Sequence, residues 1–224
     1  QNGQILTAIR EVATSRPETK LGDSALVVHP DDERYKHLIG KSFEVQWPRD
    51  QKITVTVIAD HLADPAFGTG VIGLTPYHSK IDYELWQRHK AEIPTMPIHV
   101  IGEDGRMTGM INGYGGMTVE ECREAFVADL KDAGRMKEEK KYVQPLSISY
   151  RSKKAVEPLP KTQWFIDVNK KVIQWKGRQQ SLKDIMQDVV QSGMIEIIPE
   201  RFGKTYFQWI DNLQDWGVSR QSWW

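Results

Sequence analysis

Gly68-Thr69-Gly70-Val71-Ile72-Gly73-Leu74-Thr75-Pro76 is the stretch on which the fold class turns. Its glycines match the G-x-G-x-x-G spacing that binds dinucleotides when it follows a strand and opens a helix. Pro76 stands three residues after the last glycine, where its ring and missing N–H block an early helix. A dinucleotide fold is therefore set aside. The stretch reads as a loop whose backbone closely approaches a ligand or another chain segment, and equally well as a tight turn beside a strand.

Upstream, Ile53, Val55 and Val57 alternate with Thr54 and Thr56, the period-2 pattern of a strand. Ile5 to Val12, Ala25 to Val28 and Met96 to Ile101 are further strand candidates, the last ended by the turn Glu103-Asp104-Gly105. Thr118-Val119-Glu120-Glu121 is a capping box. The helix it opens carries Val119, Cys122, Phe126 and Leu130 on one face and stops near Gly134. Ser181 caps a second predicted helix with Ile185, Met186, Val189 and Val190 apolar, ended by Gly193. A short strand over Met194 to Ile198 and a helix from about Lys204 to Trp216 complete the expectation. Pro145, Pro158 and Pro160 interrupt regular structure, and six of the eight tryptophans follow residue 160. The expected division is thus 1–144 and 145–224.

Apolar residues make up 39% of the 224 and charged residues 27%, the composition of a soluble globular protein. No apolar run approaches the ~18 residues of a membrane span. No basic, apolar leader opens the chain, so secretion is not expected. The single cysteine, Cys122, cannot form an internal disulfide, which fits a reducing compartment. The chain begins without Met and stops at Trp223-Trp224, and both ends read as boundaries inside a longer protein. Formal charge is zero, yet Arg135 to Lys183 holds thirteen Lys/Arg against four Asp/Glu. Such a tract attracts phosphate backbones; it is also what a solvated lysine-rich surface looks like.

Three short stretches carry possible chemistry. His78, Ser79 and Asp82 offer the residue types of a catalytic triad, but near neighbours in sequence rarely assemble one. Asp82 in the first turn of a helix starting near Ser79 balances its dipole. His29-Pro30-Asp31-Asp32-Glu33 lacks ligand spacing for a metal and reads as a capped helix start. Thr14-Ser15-Arg16-Pro17-Glu18-Thr19 is rich in hydroxyl and guanidinium donors. It suits a ribose, a phosphate or a polar substrate, and equally a capped turn.

Thr14 to Thr19 followed by Leu21-Gly22-Asp23 resembles the threonine-rich segment of the editing domain of valyl-tRNA synthetases. His29 to Tyr35, Leu38-Ile39-Gly40-Lys41, Phe67-Gly68-Thr69-Gly70, Thr75-Pro76-Tyr77-His78 and Asp82-Tyr83-Glu84 continue the likeness. Pro199-Glu200-Arg201-Phe202 and Asp215 to Gln221 resemble the return to the catalytic domain. Arg16-Pro17-Glu18-Thr19 favours the valyl over the isoleucyl and leucyl branches. The resemblance implies an α+β fold: a β-barrel-like core surrounded by helices, with a C-terminal mixed α/β extension leading back to a Rossmann domain. It also implies a reaction. A hydrophobic synthetic pocket rejects threonine poorly, because threonine replaces a methyl of valine with a hydroxyl. A second site then hydrolyses threonyl-tRNA(Val), and threonyl-adenylate is a further candidate.

By the same resemblance, Asp82 holds the substrate α-amino group and, with Thr19, is the catalytic expectation. Arg16 and Thr19 lie around the terminal adenosine and aminoacyl group, Phe67 through Gly70 form a pocket wall, and Thr75 is a polar residue within it. Thr14, Ser15 and His78 complete the expected substrate-binding set. No cofactor and no metal, zinc included, are expected for editing. ATP and magnesium belong to the full-length ligase and not to this segment. The expected partners are the tRNA(Val) 3′ end and the rest of the synthetase in cis, in a cytoplasmic monomer. Two departures stand out: Gly73 where a lysine is usual, removing a cation, and Ser79 where an aspartate is frequent. They leave an alternative, a module that docks the acceptor end with weakened or lost hydrolysis.

Overall fold

The β-branched run Ile53 to Val57 lies in the longest strand, as its alternation predicts. The structure, a computed structural model, describes residues 11–220 apart from 142 and 144. Four strands form its main sheet: β1 (Ala25–Val28), β2 (Ser42–Gln46), β3 (Lys52–Ala59) and β4 (Val71–Leu74). Their order is β2-β3-β1-β4. β1 runs parallel to β3, pairing Ala25 with Thr56, and antiparallel to β4, pairing Leu26 with Gly73. Val55 to Ile58 are all buried, since the second half of β3 is covered on both faces. β2 alternates half-buried and exposed residues, as suits an edge strand.

One face of this sheet carries Ala25, Val27, Ile58 and Leu74 against Leu85 and Trp86 of α1 (Lys80–Arg88). Val28, Val57 and Val71 pack with Leu38 in a separate cluster. α2 (Val119–Asp132) opens with the predicted capping box between Thr118 and Glu121. Its buried residues are the expected Val119, Cys122, Phe126 and Leu130, and Gly134 follows it at a φ of +65°. They join Leu21, Val100, Ile101, Met107, Ile111 and Tyr114 in the largest core cluster. Phe126 meets Trp47 and Tyr114 edge to face, with centroids 5.4 and 5.8 Å away.

The chain divides into two compact units, 1–160 and 161–224. The break expected after residue 144 therefore moves to Pro160. The reason is local: Ile148 bridges Ala155, and Glu157 is bound by Arg16 at 2.6 Å, which holds this stretch in the first unit. The second unit contains β5 (Phe165–Ile166) paired with β8 (Trp216–Gly217), and β6 (Ile173–Trp175) paired with β7 (Arg178–Gln180). Lys176 and Gly177 both have positive φ, the two-residue turn that suits a hairpin. α3 (Leu182–Gln191) carries a Ser181–Asp184 capping box, and α4 (Gly203–Asp211) follows.

Several expectations are corrected. Met96 to Ile101 forms no strand beyond one bridge from Ile101 to Met107. Pro97 has no N–H to give, and the Val100 and Ile101 N–H groups donate to the His78 imidazole instead. Met194 to Ile198 is irregular, because the Ile195 N–H caps α3 at Val189 O. α4 ends at Asp211 rather than Trp216, which pairs with Ile166. His29 to Glu33 opens no α-helix; a single 3₁₀ turn, Lys36–Leu38, follows it. The Ile5 to Val12 strand lies outside the described residues except for Glu11 and Val12, which are in no strand. The fold is α+β, and among the described residues the main sheet is open, with β2 and β4 at its edges. No described helix is long and apolar enough to cross a membrane.

The 3₁₀ helix Pro17–Gly22 is anchored to α2 by an ion pair. Glu18 is 0% exposed, and Arg123 grips it through Nε at 2.9 Å and Nη2 at 2.8 Å. Burial pushes the Glu18 carboxyl up, but the hydrogen bonds and charge of Arg123, with Arg16 behind, hold it below its ordinary value. Arg123→Met should cost about 3 kcal/mol in urea unfolding at neutral pH, toward the low end for a broken buried pair because Arg123 keeps part of itself in water. The pH dependence should also change sign. In the native protein this contribution is present above 4.5, the ordinary glutamate value, and is lost as pH falls through the depressed folded pKa. Without Arg123 the buried carboxyl titrates above that value, so acidification should stabilise the variant at this site. Phe126→Ala should cost about 3–5 kcal/mol by the same measurement, through its cavity.

Candidate functional site

Arg16 and Thr19 come together because Pro17 starts the 3₁₀ helix that folds one over the other. Thr19 donates both its amide N–H, at 3.2 Å, and its hydroxyl, at 2.9 Å, to Arg16 O. The Arg16 guanidinium spans three acceptors: Glu18 Oε1 at 3.2 Å, His78 O at 3.4 Å and Glu157 Oε2 at 2.6 Å. It is therefore fixed in place and still half-buried rather than sealed off. Thr14 Oγ1 accepts the Arg16 N–H at 3.0 Å, while Thr14 and Ser15 are exposed.

The opposite side of the site is built where β4 ends. Thr75 Oγ1 donates to Asp23 Oδ1 at 2.5 Å, and the Thr75 N–H donates to Asp82 Oδ2 at 2.8 Å. Ser79 caps α1 and donates its hydroxyl to Asp82 Oδ1 at 2.9 Å, accepting the Asp82 N–H at 3.2 Å. Each Asp82 oxygen keeps a second lone pair for another donor. Burial pushes Asp82 above an ordinary aspartate, against the Thr75 N–H, the Lys20 charge, Ser79 and Arg16. Burial raises Asp23 likewise, against Lys20 and Thr75, and the charge of Asp82 adds to the rise. Two carboxylates share this corner, so an incoming cation is favoured there.

Lys20, which the sequence did not single out, is the cation already present. Its Nζ donates to Asp23 Oδ1 at 3.0 Å and to Gly73 O at 2.8 Å. Lys20 thus brings an ammonium from the 3₁₀ helix directly over the backbone of position 73. A lysine three residues before a buried aspartate was the available sequence signal. Ser79 in place of an aspartate leaves one carboxylate fewer and supplies the cap of α1.

The remaining expected residues divide. His78 is buried and accepts the N–H groups of Val100 at 2.8 Å and Ile101 at 3.3 Å. Burial, then the charges of Arg16 and His99, lower its pKa to about 4. It is a neutral ring that holds a loop. The Phe67–Gly70 stretch closely approaches other segments of its own chain. Tyr35 donates to Thr69 O at 3.1 Å, and Gly70, with φ +76°, leaves room for the Arg34 guanidinium, which a Cβ there would meet at 2.5 Å. Gly70 thus faces its own chain. A Cβ at Gly68 would lie 3.2 Å from Ala13, next to Thr14, which brings this loop alongside the Thr14–Thr19 segment. Phe67 is 69% exposed, and the buried Thr69 Oγ1 meets no partner among the described residues. Cys122 is buried in the core, and burial, with the Glu18 charge, pushes its thiol up to about 11, a poor nucleophile. Among the described residues His29, Asp31 and His61 bring metal-ligating atoms within 4.8 Å of one another, two of the three exposed. His61 Nδ1 already lies 3.4 Å from His29 Nε2, with the two rings edge to face.

Residues 6–224 match the model of the family described as tRNA synthetases class I (I, L, M and V). The chain is 39% identical over 213 residues to valine–tRNA ligase of Protochlamydia amoebophila, covering 95% of this chain and 20% of that protein. It is 39% identical to valine–tRNA ligase of Clostridium tetani, covering 96% of this chain and 22% of the relative. The chain thus spans about a fifth of the length of the curated relatives it matches. A solved chain described as the crystal structure of GlLeuRS-CP1 is similar over 59% of this chain and 83% of its own, at 13% identity and a TM-score of 0.39. With the family model covering nearly every residue, the chain belongs to the class I tRNA synthetases of the I, L, M and V group.

Proposed function

We propose that this chain is the editing domain of a valyl-tRNA synthetase and hydrolyses threonine from mischarged threonyl-tRNA(Val). The observation that carries this reading is the partly buried Asp82 carboxylate, oriented by the Thr75 N–H and Ser79 hydroxyl and joined through the Thr75 hydroxyl to Asp23 and the Thr19 carbonyl. A carboxylate so held suits the α-ammonium of an aminoacyl ester. Hydroxyls and carboxylates around it suit a substrate hydroxyl and leave a valine methyl facing unpaired polar groups. Arg16, Thr14 and Ser15 offer donors to the ribose and phosphate of the terminal adenosine. The Phe67–Gly70 loop walls the pocket beside them. Water attacks the ester carbonyl, the carbonyl–ribose oxygen bond breaks, and the ribose oxygen leaves with a proton. Positioning against an activated ester suffices, with no covalent nucleophile. Threonyl-adenylate is a second substrate of the same chemistry.

The rest of the synthetase in cis, the tRNA(Val) 3′ end, a cytoplasmic monomer and a β-barrel-like core belong to the same reading. ATP and magnesium belong to the catalytic domain of the whole enzyme.

In the full-length enzyme, threonine should be released from pre-charged threonyl-tRNA(Val) while valyl-tRNA(Val) is spared. Asp82→Ala should lower that release by about 100-fold, the scale of losing a desolvated charge partner. Release at the spontaneous rate with tRNA still bound would instead favour the docking module. The rate should also fall as pH drops through the Asp82 pKa, because the protonated acid no longer holds an ammonium. Since that pKa lies above 3.8, the acid limb should begin at a higher pH than an ordinary aspartate would set.

A further inference from the structure

Position 73 lies in β4, buried and paired with Leu26. Its φ is not in the left-handed region, so backbone conformation does not ask for glycine there. Space does. A Cβ at 73 would lie 2.3 Å from Asp23 Oδ2 and 2.7 Å from Lys20 Nζ. The volume where any side chain would begin is filled by an ammonium and a carboxylate delivered from the preceding segment. Lys20 is only 12% exposed along its side chain, and an ammonium so enclosed needs acceptors. Gly73 O and Asp23 Oδ1 supply two of them. Lysine carries three N–H donors, and the third is available to a bound group.

The contacts form one line: Lys20 to Asp23, Asp23 to Thr75 Oγ1, and the Thr75 N–H to Asp82. We propose that Lys20 is the positioning and specificity-determining cation of this site and that Gly73 is the space that admits it, so that positions 20 and 73 act as one unit. Any side chain at 73 would begin in the volume that the Lys20 ammonium and the Asp23 carboxylate occupy. Lys20 orients Asp23 and Thr75, and through them the carboxylate of Asp82, and it offers its free N–H to a polar group of the substrate. This assignment rests on the editing reading above. It extends that reading to Lys20, which neither the likeness of the motifs nor the capping pattern marks.

The test is a double-variant cycle in the full-length enzyme, using threonyl-tRNA(Val) as probe and aminoacylation with valine to check integrity. Lys20→Met should lower kcat for threonine release by about tenfold or more, as expected for the loss of one charged partner. KM for the tRNA should change little, and the acid limb should move to higher pH, since Lys20 opposes the rise of both Asp23 and Asp82. Gly73→Lys alone should also lower release, because its side chain would begin 2.3 Å from the Asp23 carboxylate and 2.7 Å from the Lys20 ammonium. Lys20→Met with Gly73→Lys should lose less than the product of the two singles, since one of the two groups that the new side chain would meet is gone while Asp23 remains, a non-additive result. Unchanged release in Lys20→Met, or a double variant as poor as the product of the singles, would overturn the proposal. Thermal unfolding of the same four proteins separates this failure from that of the editing reading. Gly73→Lys should lower Tm in the parent and by less in the Lys20→Met background, where only Asp23 still meets the new side chain. A parent enzyme that releases no threonine but keeps this Tm coupling would defeat the editing function and the role of the Lys20 charge, while leaving the shared space intact.

Discussion

A carboxylate with no access to water must be given cations or take up a proton, and Glu18 meets that constraint at the centre of the first unit. Arg123 reaches it from α2 and Arg16 from two residues upstream. The consequence is structural before it is chemical. The 3₁₀ helix Pro17–Gly22 cannot drift from α2 without stranding the charge, and Arg16, held also by His78 O and Glu157, cannot drift from the end of β4. The two segments that carry Thr19 and Thr75 are thereby kept in register, and the Thr75 hydroxyl closes the remaining gap through Asp23.

That arrangement makes the site a place of balanced opposites. Asp23 and Asp82 are both raised by burial, Lys20 opposes both rises, and Arg16 opposes that of Asp82. A corner of this kind holds a bound cation without strong cost, since one carboxylate is already matched by Lys20 and the other is free to accept. His78 stays outside this balance. Its neutral ring takes two amide donors from a segment interrupted by Pro97 and so replaces a strand partner. The imidazole that looks catalytic in the sequence works as backbone scaffolding.

Local signals were the legible part. The Thr118–Glu121 and Ser181–Asp184 caps, the apolar face of α2, the Ile53 to Val57 alternation and the Ser79 start of α1 each depend on residues within one or two turns, and each stands where its pattern puts it. Pairings between distant segments were not legible. That β1 lies parallel to β3 and antiparallel to β4 depends on which apolar faces meet in three dimensions. Met96 to Ile101 and Met194 to Ile198 have strand-like composition, but their N–H groups are spent on an imidazole and on a helix end. The site shows the same division. Arg16, Thr19, Thr75 and Asp82 were named from their motifs and do assemble, whereas Lys20 is invisible until the backbone of β4 is seen beneath it.

Gly73 shows why a motif position read alone misleads. Against a pattern that expects a lysine, a glycine reads as a lost function, and the sequence offers no reason to connect it with a lysine elsewhere. The geometry supplies the reason. A strand position with no Cβ leaves a carbonyl open to a side chain from above, and Lys20 donates to that carbonyl at 2.8 Å while it pairs with Asp23. The chemistry of the site belongs to the charges that meet there, and here the chain delivers its ammonium from position 20. Position 73 must be small because Lys20 and Asp23 fill the volume where its side chain would begin, and the three are intelligible only together.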